Sequence, residues 1–324
     1  MITTPLCSLL GIEHPILNAS MAGTATGALA AAVANAGGFG MIGGTSSGGA
    51  AWLQEQIALA RSRTRRPVGV GFISSFPDTP ELVEVALAAG VTAINHSFAD
   101  PTPYVGPAHA AGVKVFAQVQ TLAGAIRAAE AGVDVIIAQG GEAGGHAGSI
   151  GTFALLPAVV DAVAPIPVVA AGGIADGRGL AAALMLGAQG VWMGTRFVAS
   201  AEWGGQSWKQ QAILAASADD TVQTNVYDRL LDRPFPAGIY DRVVRNAFNV
   251  LWQGDAAEVD PSNRALLEPL LSARERGDTT VAGVSAGVSS GLITAMQPAA
   301  DIIHAIVREA EDLLRLRPGQ LLGS

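Results

Sequence analysis

The ten residues Gln139-Gly140-Gly141-Glu142-Ala143-Gly144-Gly145-His146-Ala147-Gly148 are the densest chemical signal in the chain. Five glycines around one glutamate and one histidine let the backbone pass close to a planar ligand while presenting an imidazole, the usual general base near neutral pH. Two shorter segments share the glycine signature, Gly172-Gly173-Ile174 and Gly194-Thr195-Arg196. Backbone N–H groups beside a hydroxyl, with no side chain blocking approach, suit a phosphate. A neutral backbone nest in an acidic chain fits a tightly held cofactor phosphate better than a transient polyanion. The other histidines lack this setting: His14 precedes the first candidate strand, His109 falls in a helical run and His304 in the last helix, while His96 ends the fourth strand and is the reserve candidate for the site.

The elements that must position these residues follow from periodicity. Half of the 324 residues are hydrophobic and only 14% are charged, which excludes disorder. Aromatics make up 5% against 40 glycines, so the core is built from Ala, Val, Ile and Leu, as in a buried parallel sheet clad in small-residue helices. Eight β-rich runs are expected as strands: Pro15–Met21, Phe39–Gly44, Val68–Ser74, Ala93–Phe98, Lys114–Gln120, Asp134–Gln139, Pro167–Gly173 and Gly190–Phe197. Alanine-dense helical runs such as Gly27–Asn35, Trp52–Arg63, Glu81–Ala89, Leu122–Ala131 and Leu180–Leu186 alternate with them, most followed by a glycine of the helix-ending type.

Eight strand–helix units predict an α/β fold, a closed (β/α)8 TIM barrel over residues 1–200. The glycine segments then fall at the ends of strands six, seven and eight, the last two being where such barrels commonly hold a phosphate. Residues 201–280 read as a smaller, mainly helical insertion that covers the substrate, with Trp203, Trp208, Tyr240 and Trp252 as candidate pocket linings. Residues 281–324 return to the barrel through a helix over Pro298–Leu316, whose residues Ile302, Ile303, Ile306, Val307, Ala310, Leu313 and Leu314 form one apolar face.

Charge and composition remove other classes. A net charge of −8, with the basic residues dispersed apart from Arg61 to Arg66, leaves no footprint for nucleic acid. Neither a signal peptide nor a membrane span is expected, because the most apolar stretch, Leu155 to Ala171, is broken by Asp161 and by Pro157, Pro165 and Pro167. The single cysteine, Cys7, has no cysteine partner for a disulfide or a metal site, and a cytoplasmic setting is expected, compatible with a homo-oligomer. Gly38–Gly43 matches G-x-G-x-x-G, but with the helix before and the strand after, the reverse of a dinucleotide site. Gly283-Val284-Ser285-Ala286-Gly287 matches a nucleophile elbow, yet Asp301 and His304 stand three apart on one helix, which argues against a hydrolase triad.

Four segments together resemble the nitronate monooxygenase family across nearly the whole chain: His14 to Ala22 with the later Ala-Gly-Gly-Phe-Gly, Gln139 to Gly148, Val168 to Gly177, and Met193 to Phe197. The resemblance implies an FMN-dependent (β/α)8 oxidoreductase that uses oxygen to oxidise alkyl nitronates, and nitroalkanes where a base is available. It implies that Ala19, Ser20 and Met21 border the flavin ring, that Gln139 and Gly144 contact the cofactor, that Gly172, Gly173, Gly194 and Thr195 hold its phosphate, and that His146 is the base. One departure is visible: many relatives carry a flavin-contacting Asn near the end of strand three, and Gly71 stands there. FMN-dependent enoyl-acyl-carrier-protein reductases share the Glu-Ala-Gly-Gly-His loop and the Ala-Gly-Gly-Ile-Ala-Asp-Gly segment, so an NAD(P)H-dependent reductase, of that kind or acting on quinones, is the alternative.

Overall fold

A computed structural model describes residues 2–253 and 259–323; part of the expected helical insertion, residues 254–258, lies outside the described residues. The strands are β1 (Ile16–Asn18), β2 (Gly40–Gly43), β3 (Val68–Ile73), β4 (Ala93–Ser97), β5 (Lys114–Val119), β6 (Val135–Gln139), β7 (Gly145–Ala147), β8 (Val168–Ala171), β9 (Gly190–Met193), β10 (Thr221–Thr224) and β11 (Tyr240–Val244). Eight of them form one sheet in the order β1-β9-β8-β6-β5-β4-β3-β2, with every pairing parallel. A parallel bridge between Leu17 and Phe39 joins its two ends into a barrel. The chain reverses from helix to strand at Gly90, Gly112, Gly132 and Gly187, whose φ values of 64°, 72°, 85° and 95° are left-handed and cheap only for glycine.

The β1–β2 seam has little backbone ladder, and a side chain completes it. Asn18 Oδ1 accepts the Met41 N–H at 2.9 Å while Asn18 Nδ2 donates to the Met41 carbonyl at 2.8 Å, so one amide imitates a peptide group across the gap. Below it, alternate residues of the strands point inward: Leu17, Met41, Ala93, Phe116, Ile137, Val169 and Trp192 pack together. Leu6, Cys7 and Leu10 of the helix Pro5–Leu10 join the same cluster, so Cys7 serves as a small buried hydrophobe. Burying each large side chain here contributes about 1.5–3 kcal/mol.

The last helix, Ala299–Leu322, runs beyond the expected Leu316 and packs on helices Gly27–Asn35 and Gly177–Met185. A Cβ at Gly177 would meet the Ile306 carbonyl and the Glu309 side chain, and the missing side chain lets Glu309 Oε2 accept the Gly177 N–H at 2.7 Å.

The eighth strand ends at Met193, four residues earlier than expected, because Thr195–Val198 coils into a helical turn. Within residues 201–280 lie helices Ser207–Ala215, Val226–Leu230, Ala247–Leu251 and Arg264–Arg276, but also β10 and β11. Those strands form an antiparallel sheet with β7, in the order β10-β11-β7. Their shortness, and the polar Asp241 and Arg242 inside β11, hid them from periodicity. This region has its own small core around Val222, Tyr227, Val243, Phe248 and Leu270, against which Trp252 packs, whereas Trp203 belongs to the barrel core.

Candidate active site

The loop after β6 is held from several directions. Gln139 Oε1 accepts from Gln118 Nε2 at 3.0 Å and Gln120 Nε2 at 2.9 Å, and its own Nε2 donates to the His146 carbonyl at 3.1 Å. Glu142 receives the Thr152 N–H through both oxygens, at 3.0 and 2.8 Å, and the Thr152 hydroxyl at 2.8 Å, at the start of helix Thr152–Val163. That placement complements the positive end of the helix. A Cβ on Gly144 would collide with the backbone of Ala286 and Gly287, so this glycine is required by close packing.

His146 therefore sits on β7, with Asp241 of β11 directly opposite. Its Nε2 lies 2.8 Å from Asp228 Oδ2, and the two side chains are only 12% and 8% exposed, so the pair is shielded from water. Arg233 Nη1 stands 3.6 Å from the other Asp228 oxygen. The imidazole stacks on Phe235, centroids 3.4 Å apart and planes at 8°, and meets the edge of Phe98 at 6.2 Å. Phe76 and Phe98 also flank Phe235, at 5.9 and 5.5 Å. Phe98 has φ 67°, a left-handed conformation that a bulky residue adopts only when its surroundings impose it, and this turn directs its ring at the histidine. Burial pushes the Asp241 carboxyl up, although the nearby His146 opposes the shift, and its Oδ1 accepts the Ser285 hydroxyl at 3.0 Å.

Asp228, Asp241, Phe98 and Phe235 went unnoticed in the sequence. Asp228 had a signal: it sits among Val226, Tyr227 and Leu230 on a short helix, an acidic residue on a buried face. Phe98 had a weaker one, an aromatic at the carboxyl end of a barrel strand. Of the four aromatics expected to line a pocket, Tyr240 borders one of about 460 Å³ shared with Asp228, Arg233 and Phe235.

The expected cofactor residues converge on the barrel mouth. Ala19 donates its N–H to the Met193 carbonyl at 2.8 Å, and a Cβ on Gly194 would lie 3.5 Å from Ala19 Cβ and 3.9 Å from Met21 Sδ. Ser20 lies over Gly71, where a Cβ would collide with its hydroxyl. Gly172 and Gly173, with φ 100° and 75°, turn the chain beside Gly140 and Glu142. Thr195 Oγ1 accepts the Gly287 N–H at 3.0 Å, which ties this turn to the segment that also contacts Gly144.

His96 is not part of the site. It points away from the barrel interior, stacked on Tyr104 at 4.4 Å with its Nδ1 2.8 Å from Ser74 Oγ, because neighbouring strand residues alternate faces and Ala93 and Asn95 take the inner one. Burial lowers its pKa from 6.5 to about 4. Above pH 6.5 both folded and unfolded chains carry it neutral; as pH falls toward 4 only the unfolded chain gains the proton, and stability declines by about 3 kcal/mol. His96→Phe, which keeps the stacked ring, is expected to flatten the Tm profile across that window. An unchanged acid slope would assign the loss to other groups. Ser285 pairs with Asp241 while His304 packs edge-on against His14 at 6.2 Å, so no hydrolase triad assembles. The Gly38–Gly43 glycines serve packing, since a Cβ on Gly40 would collide with the Ala30 carbonyl.

A family model for nitronate monooxygenase matches residues 3–309. The chain belongs to the nitronate monooxygenase family. It is thus an oxidoreductase acting on a small molecule, and among the described residues no helix is long and apolar enough to cross a membrane. FabK from Thermotoga maritima is similar over 99% of this chain and 100% of its own, with 37% identity and a TM-score of 0.88. Nitroalkane oxidase from Streptomyces ansochromogenes is similar at 27% identity and a TM-score of 0.82, over 95% of this chain and 98% of its own. A Mycobacterium tuberculosis relative, (3aS,4S,5R,7aS)-5-hydroxy-7a-methyl-1-oxo-octahydro-1H-indene-4-carboxyl-CoA dehydrogenase, is 38% identical over 71% of this chain, and the match spans 65% of that relative's length.

Proposed function

We propose that this enzyme oxidises alkyl nitronates, and neutral nitroalkanes after deprotonation, with FMN as cofactor and molecular oxygen as oxidant. The observation that carries the reading is the shielded His146–Asp228 pair at the barrel mouth, walled by Phe98 and Phe235. A proton held on Nε2 and donated to Asp228 leaves Nδ1 with the lone pair, the tautomer a base requires. The phenyl wall excludes water and suits an alkyl chain. After taking the proton beside the nitro group, the cationic imidazole pairs with the nitronate, and Asp228 balances its charge.

The lining fits a flavin. Gly172 and Gly173 turn the chain at φ 100° and 75°, conformations cheap only for glycine, and at Gly194 even an added Cβ would make no more than ordinary contacts with Ala19 and Met21, which leaves backbone N–H groups free to approach an anion. Ala19, Ser20 and Met21 would border the ring, Gln139 and Gly144 would contact the cofactor, and Gly172, Gly173, Gly194 and Thr195 would hold the phosphate. Bound FMN supplies the redox chemistry, taking electrons from the substrate and handing them to oxygen. Gly173→Val forces a β-branched residue to φ 75° and is expected to abolish flavin retention, read from the absorption spectrum of the purified protein. Full flavin content would make this turn purely structural.

Motifs shared with enoyl-acyl-carrier-protein reductases favour a second reading, an NAD(P)H-dependent reductase. Anaerobic mixing separates the two. Bleaching of the flavin by an alkyl nitronate, and not by NADH or NADPH, supports the proposed oxidation; rapid bleaching by a nicotinamide alone overturns it.

A further inference from the structure

We infer that Phe235 is a positioning residue for the proton step: the face of its phenyl ring stabilises the imidazolium that His146 becomes on taking a proton. This rests on the reading of His146 as base. The two rings lie in contact, centroids 3.4 Å apart and planes at 8°, so a positive charge on the imidazole meets the electron-rich face of the phenyl.

An imidazolium here has few other partners. The His146 side chain is 12% exposed, so water solvates little of the charge. Two carboxyls face the ring. Asp228 meets Nε2 at 2.8 Å, but its other oxygen stands 3.6 Å from the Arg233 guanidinium, which takes up part of its charge. Asp241, opposite on β11, is buried, and burial pushes its carboxyl up toward the neutral form. A π face adds the missing stabilisation, and unlike a further carboxylate it is at ease in an apolar setting while the imidazole is neutral.

Several features hold that face in place. Asp228 serves both contacts of the histidine: its side chain engages Nε2, while its main-chain carbonyl accepts the Arg233 N–H at 2.9 Å and starts the turn that delivers Phe235. Left-handed residues mark both ends of this turn, Asp232 at φ 50° and Gly238 at φ 83°, and Pro234 and Pro236 restrict the backbone on either side of the phenyl residue. Phe76 and Phe98 meet the Phe235 ring at 69° and 79°, edge contacts that fix its plane.

Phenylalanines carrying one, three and five ring fluorines, installed at position 235, test this, because each fluorine weakens the negative face while the shape is nearly kept. The His146 ring signals, assigned by their loss in His146→Asn, are followed by NMR against pH. Their midpoint is expected to fall stepwise, by about one pH unit at five fluorines. The sign follows from the cation being the stabilised form, so a weaker stack releases the proton at lower pH. The ratio of nitroalkane to nitronate turnover is expected to fall in parallel, by about threefold, since only the nitroalkane needs the proton step. Phe235→Leu, which packs without a π face, should share the midpoint of the five-fluorine protein, and Phe235→Tyr that of the wild type. A midpoint that stays level across the fluorinated series overturns the inference, even where Phe235→Leu lowers it, because packing alone then accounts for the change. A midpoint that follows fluorination in a protein without nitroalkane turnover supports the charge-stabilising stack and overturns the reading of His146 as base.

Discussion

His146→Asn is expected to keep its flavin and to lose roughly a hundred- to ten-thousandfold in turnover of a neutral nitroalkane, the range of a positioned general base, with a smaller loss on the corresponding nitronate. The difference between the two substrates is the diagnostic. A nitroalkane must lose the proton beside its nitro group before it can be oxidised, whereas a nitronate has already lost it, and for that substrate the imidazole only helps to place the anion. Asparagine retains a polar group that Asp228 can engage and leaves the β7 backbone, held by Gln139 and β11, undisturbed. Were His146 simply a packing residue for the glycine loop, the variant would shed flavin and both activities together. Equal, undiminished rates on both substrates in a flavin-loaded variant would remove His146 from the chemistry, and His96 could not replace it from the far side of β4.

Asp228→Asn is the second large effect, about a hundredfold on nitroalkane kcat with KM little changed, by analogy with other orienting carboxylates. In the proposed mechanism the buried carboxylate, 2.8 Å from Nε2, both fixes the proton there and stabilises the imidazolium that forms on proton abstraction. An amide of the same shape can turn its NH2 toward Nε2, which favours the tautomer with the proton on Nδ1 and blocks the base. It also leaves Arg233 without its partner charge. Steady-state kinetics on a nitroalkane and its nitronate, with flavin content measured in parallel, read this directly. A kcat on the nitroalkane equal to wild type would reduce Asp228 to a packing residue.

The barrel was legible because its signal is repetitive: each strand is a short apolar run and the helix-to-strand turns carry the same glycine. The glycine-rich turns at the strand ends and the loop that carries His146 were legible as positions for a related reason, their repeated glycines, while the roles proposed for them await the experiments above. Asp228 and Asp241 were not legible in this way. Each belongs to a short element within residues 201–280, and what matters about them is a contact across 82 residues in one case and a cross-strand pairing in the other. Phe98 was visible as a residue, but the backbone turn that aims it at the histidine is a property of the assembled mouth. His96 misled because strand position predicts height along the barrel, while inside or outside depends on counting alternation from a residue whose facing is known.

The strand that carries His146 forms its backbone ladder with β11 and not with a strand of the barrel, which reaches it through the Gln139 side chain, and this affects how the protein could be redesigned. In many (β/α)8 scaffolds a loop can be exchanged to alter substrate range while the catalytic groups stay on the strands. Here the exchangeable module holds the histidine's orienting carboxylate, its stacking partner and the register of its backbone. On the proposed function, a chimera that imports another segment in place of residues 201–280 would therefore swap the geometry around the base and the selectivity as one inheritance unit. A graft that keeps Thr221–Thr224, Val226–Leu230 and Tyr240–Val244, and varies only the turns beyond them, is the cut along which the two separate.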